Sequence, residues 1–478
     1  MIIGMSAQQR PIDALSVPAQ VANAPQVVVL GGLNGNAAGI RMVRDAYDAY
    51  VNAADNFVDA VFVPVANPDA VPLLFPPNEP AYATNWTAWS LWRWLTTVPP
   101  DLVLIAGDDD YELATALMKA AAIPGSIPLR TVHGADELIA ALRGKQSYAM
   151  SAARKAVEAR RARSPQAVAQ GLAGVYGQQL TALTYIPAMA LIGRMRLGQL
   201  AEVERIVATT LDNADKVPLT SSLQIAGHLL YAELAEHTRN PRSQRYLQLA
   251  RRAADLGFDA NGKPKDVMPF HGDYSDAFFM ETPLLAKVGK LTGEQRYFDM
   301  ALNHVNYMHK ELLRDDGLYN HWPKAEAAWG RGNAFASLGL ALALSEIPAD
   351  HAAHKRLLQL FQAHAGTLLA HVDVDGMWHN VIDIEGSWPE TSATTMIATA
   401  LLRGIRQGWL DPQLRELVER AWSSVAMRTD DNYGFVNVCE STVGQDSLDA
   451  YLNRKALIGR DDRQGGMLLM LVTELLVK

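Results

Sequence analysis

The chain has 478 residues, a formal net charge of -8 and 49% hydrophobic residues. One hydrophobic core rarely grows beyond about 250–300 residues, so this length predicts more than one domain. The composition is typical of a globular protein and excludes a disordered or fibrous chain. The negative charge argues against nucleic acid as a partner, since it offers no basic surface for phosphates.

The single cysteine, Cys439, excludes an intramolecular disulfide and a cysteine-rich zinc site, and we expect it to be a small buried hydrophobe. No run of about 18 apolar residues occurs, and the first 24 residues lack a basic end followed by an apolar core. We therefore expect a cytoplasmic protein that does not interact with membranes, and we leave room for a homo-oligomer. Pro11 and Pro18 make residues 1–24 read as an irregular lead-in arm.

Residues 25–145 alternate short apolar runs with helical stretches. The runs at 27–30, 61–65 and 102–106 are bounded by Gly, Pro or Asp, as buried parallel strands are. The stretches between and after them, 37–54, 85–97 and 109–122, are long enough for crossover helices. This pattern predicts a small α/β domain.

Residues 146–478 contain about twelve amphipathic segments of helical period, separated by short Gly, Pro, Asn or Asp clusters. An array of helical hairpins can close into a toroid or remain an open stack. Small residues recur in the segments 333–346 and 391–407. They would let neighbouring helices approach closely, but helix propensity explains them equally well.

One carboxylate in this array, Asp276, heads the apolar segment Ala277–Met280. Taken alone, an aspartate in this place is more often a helix-capping residue than a catalytic one. An arginine set among Gly and Asn, as Arg331 is, is likewise more often a solvent-exposed residue at the start of a helix. Local sequence therefore identifies candidates without assigning chemistry to them.

Six short motifs of the helical half, taken in order, resemble the unsaturated glucuronyl and rhamnogalacturonyl hydrolases of glycoside hydrolase families 88 and 105. They are Ser-Asp-Ala-Phe-Phe-Met (275–280), Thr-Gly-Glu-Gln-Arg-Tyr (292–297), Gly-Leu-Tyr-Asn-His (317–321), Trp-Gly-Arg-Gly-Asn (329–333), Gly-Met-Trp-His-Asn (376–380) and Glu-Thr-Ser-Ala-Thr-Thr (390–395). The resemblance covers roughly residues 220–478. It implies an (α/α)6 barrel over 146–478 with a pocket at one end, a small uronate-containing saccharide as substrate, and neither a metal nor a cofactor.

The resemblance also implies a reaction, the hydration of a 4,5-unsaturated uronyl group. An acid protonates C4, water adds at C5, and the hemiketal opens to release the second sugar. One carboxyl that both donates a proton and activates water suffices, whereas acetal hydrolysis usually needs two. Asp276 falls on the acid/base position, and the neighbouring Phe278 and Phe279 would favour its neutral form by desolvation.

The remaining site candidates follow from the same motifs. Arg331 is expected to hold the uronate carboxylate through two hydrogen bonds, and Trp329 to offer a flat face to a sugar ring. Glu390 suits sugar hydroxyls, although capping of the helix that follows is the safer interpretation. The other substrate-binding candidates are His321, Asn333, Trp378, His379 and His271.

The chain departs from the family pattern at a second carboxylate, because Ser222 stands where an aspartate is usual. The sequence cannot show whether Asp212 or Asp273 compensates for this loss. Cleavage of a saturated acetal would need a second carboxylate opposite Asp276, and the ones to inspect are Asp273, Glu281 and Glu390. The Gly-Trp pair that commonly follows Arg-Gly-Asn is Ala334-Phe335 here.

Three other functions stay open at this point. The protein could cleave saturated glucuronides, or bind carbohydrate as a non-catalytic or scaffold protein, as the altered motif residues suggest. A helical-barrel isomerase or epimerase would instead need paired histidines facing the cavity.

The first half has a weaker resemblance of its own, to zinc carboxypeptidases, carried by residues 27–39 and 63–69. Asn34 and Ala37 occupy the places of the histidine and glutamate ligands, so we expect a relative without zinc. The glycine-rich stretch 31–35 lacks the spacing of a nucleotide-binding loop. Four tryptophans between 86 and 94 are expected either to fill the core or to contribute to an interface.

Overall fold

The computed structural model describes residues 1–53, 56–78, 81–82, 85–107, 111–119, 125–143 and 148–477. The chain divides into two compact units. Unit 1 contains Met1–Ala162, Ile384–Trp388 and Leu452–Ile458, and unit 2 contains Arg163–Asp383, Pro389–Tyr451 and Gly459–Lys478. Sequence reasoning placed the boundary near residue 145. The boundary lies later because Ser151 and Arg154 bind the main-chain carbonyl of Pro100 and the carboxylate of Asp101, respectively.

Unit 1 is built on a five-stranded sheet. Its strands and helices are β1 (Ile2–Met5), β2 (Pro11–Asp13), β3 (Leu15–Val17), β4 (Gln26–Gly31), α1 (Ala37–Val51), β5 (Asp59–Val63), α2 (Trp86–Thr97), β6 (Leu102–Ala106), α3 (Leu113–Lys119), β7 (Leu129–Val132), α4 (Ala135–Arg143) and α5 (Ala152–Arg161). The strand order is β3-β5-β4-β6-β7. The strands β5, β4, β6 and β7 pair in parallel, and β3 pairs antiparallel to β5 at one edge.

Both faces of this sheet are buried, which explains the continuous apolar runs. Val28 and Leu30 of β4 belong to a core with Trp92 of α2. Val27 and Val29 point to the other face and belong to a second core with Tyr50 of α1 and Leu142 of α4. The α/β prediction for this part of the chain is therefore correct in its architecture.

The irregular arm predicted for residues 1–24 is wrong, because β1, β2 and β3 lie within it. Proline is tolerated in short and edge strands, and Pro11 begins β2. Trp86, Trp89 and Trp92 are buried and Trp94 is partly buried, as core packing predicts. Within unit 1, Trp89 contacts Trp388 at 6.4 Å between ring centroids, and the Tyr82 hydroxyl donates to the Gly386 carbonyl at 2.5 Å.

Unit 2 is mostly helical. Its helices, with the short α19 at its edge, are α6 (Pro165–Val175), α7 (Tyr185–Arg196), α8 (Leu200–Leu211), α9 (Ser222–Gly227), α10 (Leu229–His237), α11 (Arg242–Ala254), α12 (Ala277–Met280), α13 (Thr282–Thr292), α14 (Arg296–Leu312), α15 (Gly330–Leu344), α16 (Ala352–Leu369), α17 (Thr391–Arg406), α18 (Arg415–Met427), α19 (Leu448–Leu452) and α20 (Asp462–Leu475). Two short strands, β8 (Phe435–Cys439) and β9 (Ala456–Gly459), also lie in the second half, where the sequence predicted none.

Six helical stretches of unit 2 pack one against the next. The order is α7, α9 with α10, α12 with α13, α15, α17 and α20, and α20 packs in turn against α7. We call these six the inner helices. All residues of α15 are buried, as expected for a helix covered on every side. The helices α8, α11, α14, α16 and α18 pack against them with one amphipathic face each.

Small residues bring α15 close to the segment that carries Asp276. A Cβ atom at Gly339 would lie 2.2 Å from the Phe278 carbonyl oxygen, and one at Gly332 would lie 2.4 Å from the Ser275 hydroxyl. Only glycine fits at such distances. Close helix approach is thus one reason for the small residues of this segment, beyond helix propensity.

No helix in the described part of the chain combines the length and the apolarity that spanning a membrane requires.

Candidate active site

Asp276 lies directly before α12, in a loop held by hydrogen bonds. The Ser275 amide donates to the His321 carbonyl at 2.8 Å, which fixes the approach to the helix. Asp276 is 7% exposed, so its carboxyl is nearly buried but not sealed. Its Oδ1 lies 3.3 Å from Nε2 of His321, at ion-pair distance but without the alignment of a hydrogen bond.

His321 connects Asp276 to a buried aromatic group. Its Nδ1 lies 2.6 Å from the Tyr451 hydroxyl, and its ring centroid lies 4.4 Å from that of Trp329. The Tyr451 hydroxyl also accepts from the Gln445 amide at 3.2 Å. His321 is completely buried, so its orientation is set by these neighbours and not by solvent.

Arg331 is buried and already bound on several sides. Its Nε donates to the Ser392 hydroxyl at 2.8 Å and Nη1 to the Ser441 carbonyl at 2.9 Å, and Nη2 donates to the Cys439 carbonyl. Nη2 also lies 3.7 Å from Glu390 Oε1. Burial by itself would lower the pKa of Arg331, but the charge of Glu390 raises it, so the guanidinium stays charged. Its predicted role in holding a uronate carboxylate stays a prediction.

Glu390 caps α17, as the safer interpretation predicted. Its carboxylate accepts from the amides of Ser392 and Ala393, and from the Cys439 amide at 2.9 Å. The Ser392 hydroxyl donates to Oε2 at 2.7 Å. A carboxylate that accepts this many hydrogen bonds has little capacity left for a sugar hydroxyl.

Three other predicted residues are completely buried: Trp329, Asn333 and Trp378. Asn333 binds both main-chain groups of Tyr319, accepting from its amide and donating to its carbonyl at 2.9 Å each. The indole of Trp378 donates to the Leu368 carbonyl at 2.7 Å. Trp329 has the Arg331 guanidinium 5.5 Å from its ring centre, so a sugar could stack on it only after neighbours move.

The two remaining candidates, His271 and His379, are each paired with an aspartate outside the Asp276–Arg331 group. Nδ1 of His271 lies 3.0 Å from Asp273 Oδ1, and Nε2 of His379 lies 3.2 Å from Asp373 Oδ2. Burial lowers the pKa of His271. Burial would raise the pKa of Asp373, but the hydrogen bond from His379 lowers it. Neither histidine contacts Asp276 in the described residues, so the geometry gives no support for a catalytic role of His271 or His379.

Sequence reasoning missed Tyr185, the first residue of α7. Its side chain is buried between Phe279 and Phe335, at 5.9 and 5.7 Å between ring centroids. Its hydroxyl has no hydrogen-bond partner among the described residues. Burial raises its pKa, the charge of Arg331 lowers it and the charge of Asp276 raises it. The only feature of the sequence that pointed to Tyr185 is its position directly after Thr184, at the start of a helix.

Glu281 is the second carboxyl near Asp276, one helical turn further along the chain. It is completely buried, and neither oxygen has a hydrogen-bond partner among the described residues. Nε2 of His304 lies 3.6 Å away but is bound to the Ala277 carbonyl at 3.0 Å. Burial raises the pKa of Glu281, His304 lowers it, and Asp276 raises it further. The neutral form of Glu281 is therefore favoured relative to that of an exposed glutamate.

The other carboxylates considered as partners of Asp276 are engaged or remote. Asp273 is half-exposed and binds His271 and the Tyr307 hydroxyl, and Asp212 is an exposed residue at the end of α8. Ser222 begins α9 and carries no acidic group.

One cluster in the described residues has the composition of a metal site: Glu233, Glu236 and His237. The ammonium of Lys287 lies 3.2 Å from Glu233 and also binds Glu236. A protein cation already neutralises these carboxylates, so we assign no metal to the cluster.

Comparison with known proteins was made against this geometry. The family model described as Glycosyl Hydrolase Family 88 matches residues 201–477, more than half of the chain. The chain belongs to glycosyl hydrolase family 88. The match contains Asp276, His321, Arg331 and Glu390 but not Tyr185.

Two curated relatives of this family 88 chain are similar over shorter stretches. An unsaturated 3S-rhamnoglycuronyl hydrolase of Alteromonas sp. is 27% identical over 34% of this chain and 43% of its own length. An unsaturated rhamnogalacturonyl hydrolase of Bacillus subtilis is 29% identical over 27% of this chain and 40% of its own length. The chain thus matches less than half the length of these two relatives.

Two solved structures share the fold over about two thirds of this chain. A possible member of family GH105 from Klebsiella pneumoniae matches with a TM-score of 0.55 at 20% identity, over 70% of this chain and 96% of its own. A family 105 glycoside hydrolase of C. acetobutylicum matches with a TM-score of 0.55 at 19% identity, over 64% of this chain and 98% of its own. At this identity the likeness establishes a shared fold and leaves the reaction to be argued from the site.

Proposed function

We propose that this protein is a glycoside hydrolase that hydrates the 4,5-unsaturated uronyl residue of small oligosaccharides. The observation that carries the proposal is the nearly buried carboxyl of Asp276, in contact with His321. Membership of family 88 and the names of the two curated relatives support the substrate class. A cytoplasmic location is part of the proposal.

We further propose that unit 2 is an (α/α)6 barrel. The six inner helices pack in sequence and α20 returns to α7, which is the order that a closed inner ring requires. The likeness to the family 105 structures supports the same architecture. Asp276, Tyr185, Arg331 and Glu390 all stand at or next to the N-terminal ends of inner helices, so one end of the ring would collect them.

In the proposed reaction, protonated Asp276 gives its proton to C4 of the unsaturated ring. Water then adds at C5 and gives a proton back to the Asp276 carboxylate. The product is a hemiketal. Its ring opens as the C5 hydroxyl becomes a carbonyl, the bond from C5 to the ring oxygen breaks, and the ring oxygen takes the proton. C1 is then a hemiacetal, which collapses to an aldehyde as the C1–oxygen bond to the second sugar breaks and the proton passes to that leaving oxygen. Each step conserves the proton that Asp276 began with, so one carboxyl serves as acid and as base.

His321 has the geometry to orient this carboxyl. The Tyr451 hydroxyl accepts from an amide, so its own proton is available to Nδ1 of His321, which leaves the ring proton on Nε2. Nε2–H then faces Oδ1 of Asp276, and Oδ2 is left for the transferable proton. Catalytic hydrogen bonds are often poorly aligned without substrate, so the 3.3 Å contact is expected to tighten on binding.

The role of Arg331 is proposed in two parts. Its bonds to Ser392, Cys439 and Ser441 position the residues around the start of α17. A substrate carboxylate could replace Glu390 at Nη2, since that 3.7 Å contact is longer than a hydrogen bond. The structure thus favours a positioning role that one substrate contact would complement.

Cleavage of saturated glucuronides is the second candidate, and the carboxyl groups disfavour it. Acetal hydrolysis needs a second carboxyl opposite the acid. Glu390 is committed to α17, Asp273 to His271, and Glu281 is sealed from solvent. A non-catalytic carbohydrate-binding protein is the third candidate, and turnover of an unsaturated disaccharide in the experiment below would exclude it.

The test is the loss of ultraviolet absorbance of an unsaturated uronyl disaccharide, measured for the native protein and for Asp276→Asn. We expect Asp276→Asn to lower kcat by roughly 10²–10⁴-fold, the usual contribution of a general acid. In heavy water, the product is expected to carry deuterium at C4.

Asp266→Asn is the matched control, because Asp266 is an exposed aspartate ten residues earlier in the chain. Equal activity in the native protein and Asp276→Asn, or cleavage of saturated glucuronides with the unsaturated bond left intact, contradicts the proposal.

A further inference from the structure

We propose that Lys324, held in place by Trp322, forms an outer subsite for an anionic group on the second sugar of the substrate, a sulfate or a carboxylate. The inference rests on the proposed function, since it concerns the sugar that this reaction releases. It adds a preference for substrates with a charged leaving sugar.

A line of side-chain contacts leads from the proposed acid to this lysine. Nε2 of His321 lies 3.3 Å from Asp276, and the His321 ring lies 5.0 Å from that of Tyr274. Tyr274 stacks against Trp322 with 5.4 Å between ring centroids and 29° between planes. The Lys324 ammonium lies 4.8 Å from the centre of the Trp322 ring.

Burial decreases along this line. Asp276 and His321 are buried, Tyr274 and Trp322 are half-buried, and Lys324 is exposed. A saccharide with its unsaturated ring at Asp276 would have its next sugar on the solvent side of that ring. Half-buried aromatic side chains are the surfaces on which sugars commonly rest, since each presents an apolar body and a polar tip.

Lys324 is held at one place although it is exposed. Trp322, Pro323, Lys324 and Ala325 form a tight turn, with the Ala325 amide donating to the Trp322 carbonyl at 3.4 Å. Proline at the second position pre-sets the backbone of such a turn. The cation–π contact with Trp322 adds an attraction that favours this position of the ammonium. The ammonium therefore loses less freedom when it binds an anion.

Trp322 is itself fixed from another segment. Its indole donates to the Gln445 carbonyl at 2.8 Å. A Cβ atom at Gly444 would lie 2.8 Å from the rings of both Trp322 and Tyr274, so this backbone lies directly on the aromatic pair. Two loops therefore hold Trp322 in the position from which it contacts Lys324, and this position does not depend on the lysine.

The charges around Lys324 and the net charge of the chain both bear on whether this lysine can bind an anion. No carboxylate of the described residues lies within ion-pair distance of Lys324, which distinguishes it from Lys287, Lys290 and Lys310 but not from Lys155 or Lys355. The contact with the Trp322 ring sets Lys324 apart from those two lysines. The chain has a formal net charge of -8, and an acidic protein repels an anionic ligand unless a local cation offsets the repulsion. An uncompensated cation beside the aromatic pair supplies that offset.

The experiment compares three unsaturated disaccharides with the same uronyl residue and linkage, whose second sugar carries a sulfate, a carboxylate or neither. For the native protein we expect a lower KM for the charged substrates than for the neutral one. Lys324→Met is expected to raise KM for a charged substrate about tenfold and to leave KM for the neutral substrate and kcat for all three nearly unchanged. The sulfate and carboxylate arms identify which anion is preferred.

Two variants control this experiment. Lys310→Met removes an exposed lysine of α14 that binds Glu311, and we expect it to have no effect on either class of substrate. Trp322→Phe keeps an aromatic ring but loses the bond to Gln445, so we expect a smaller loss of the charge preference. Raising the salt concentration should reduce the preference of the native protein and have little effect on Lys324→Met.

Equal changes of KM for charged and neutral substrates in Lys324→Met, or no preference in the native protein, overturn the subsite. Absence of turnover on all three substrates would instead overturn the proposed function, so the two failures are distinguishable.

Discussion

The N-terminal and C-terminal ends of the inner helices carry different kinds of buried polar group. At or near the N-terminal ends, the Tyr185 hydroxyl and Oδ1 of Asp276 lack an aligned hydrogen bond from the described residues. At the C-terminal ends, buried charges are closely paired. Lys287 lies 3.2 Å from Glu233 and 3.1 Å from Glu346, and Arg403 lies 2.7 Å from Glu474.

The difference separates two uses of buried polarity. An unpaired buried polar group costs roughly 1–3 kcal/mol, and such groups are retained where a ligand can pair with them. A buried ion cluster stabilises only when every member has a partner. We therefore read the N-terminal ends as the functional end and the C-terminal ends as the structural end, and the variants below test that division.

The largest effect is expected at the structural end. Lys287→Met would leave Glu233, Glu236 and Glu346 without their central cation, and breaking a buried cluster in this way costs about 3–5 kcal/mol. We expect a large fall in the melting temperature and an unchanged kcat for the protein that stays folded. Lys290→Met is the matched control, because Lys290 contacts Glu236 and Glu346 but is 45% exposed. Its loss should cost at most about 1 kcal/mol.

The same cluster predicts how stability depends on acid. Burial would raise the pKa of Glu233, but the His237 imidazole 3.6 Å away and the charge of Lys287 lower it to about 2. A carboxyl whose pKa is lowered on folding stabilises above its unfolded value of about 4.5, and this contribution is lost as pH falls toward 2. Melting temperatures between pH 6 and 2 should fall more steeply for the native protein than for Lys287→Met. Parallel curves would show that the cluster is not ionised as described.

A smaller effect is expected at the functional end, from Tyr185→Phe. The change removes a hydroxyl that has no partner in the described residues, so stability should stay the same or rise slightly. If the hydroxyl meets the substrate, kcat/KM should fall about tenfold, which corresponds to about 1.4 kcal/mol. Tyr246→Phe is the control, since its hydroxyl is also buried without a partner but lies on α11. Equal kinetics for both variants would remove Tyr185 from the site.

Sequence patterns were sufficient for the parts of the fold that repeat locally. The apolar runs that became β4 and β6, the helical period of the second half and the position of Asp276 before a short helix are all visible within about 20 residues. Local patterns do not show that unit 1 also contains Ile384–Trp388 and Leu452–Ile458. That association depends on contacts with residues some 300 positions earlier, such as Tyr82.

The site was harder to predict for the same reason. The motifs contain Asp276, His321 and Arg331, but Tyr451, whose hydroxyl lies 2.6 Å from His321, stands far away in sequence with no motif of its own. The structural end, by contrast, has a recognisable pattern in the sequence. A charged residue recurs near the C-terminal end of each inner helix, at Arg196, Glu233, Lys287, Glu346, Arg403 and Glu474. Charges in otherwise apolar segments predict pairing between those segments.

Glu281 gives the smallest and most selective test, because it is a buried carboxyl that belongs to neither end. Nδ1 of His304 accepts from the Met268 amide at 3.4 Å and Nε2 lies 3.0 Å from the Ala277 carbonyl, so both ring nitrogens already have partners other than Glu281. With the pKa of Glu281 raised, its contribution to stability is complete below about pH 4.5 and is lost as pH rises through the folded value. Glu281→Gln replaces a neutral acid by a neutral amide of similar shape.

We therefore expect Glu281→Gln to change the melting temperature little at pH 4. Relative to the native protein, the variant should become more stable as pH rises, because the native protein must then either ionise a sealed carboxyl or hold its proton against the solution. Glu281→Asp, which keeps the ionisable group, should follow the native trend. A constant difference between Glu281→Gln and the native protein from pH 4 to pH 9 would mean that folding does not raise the pKa of Glu281.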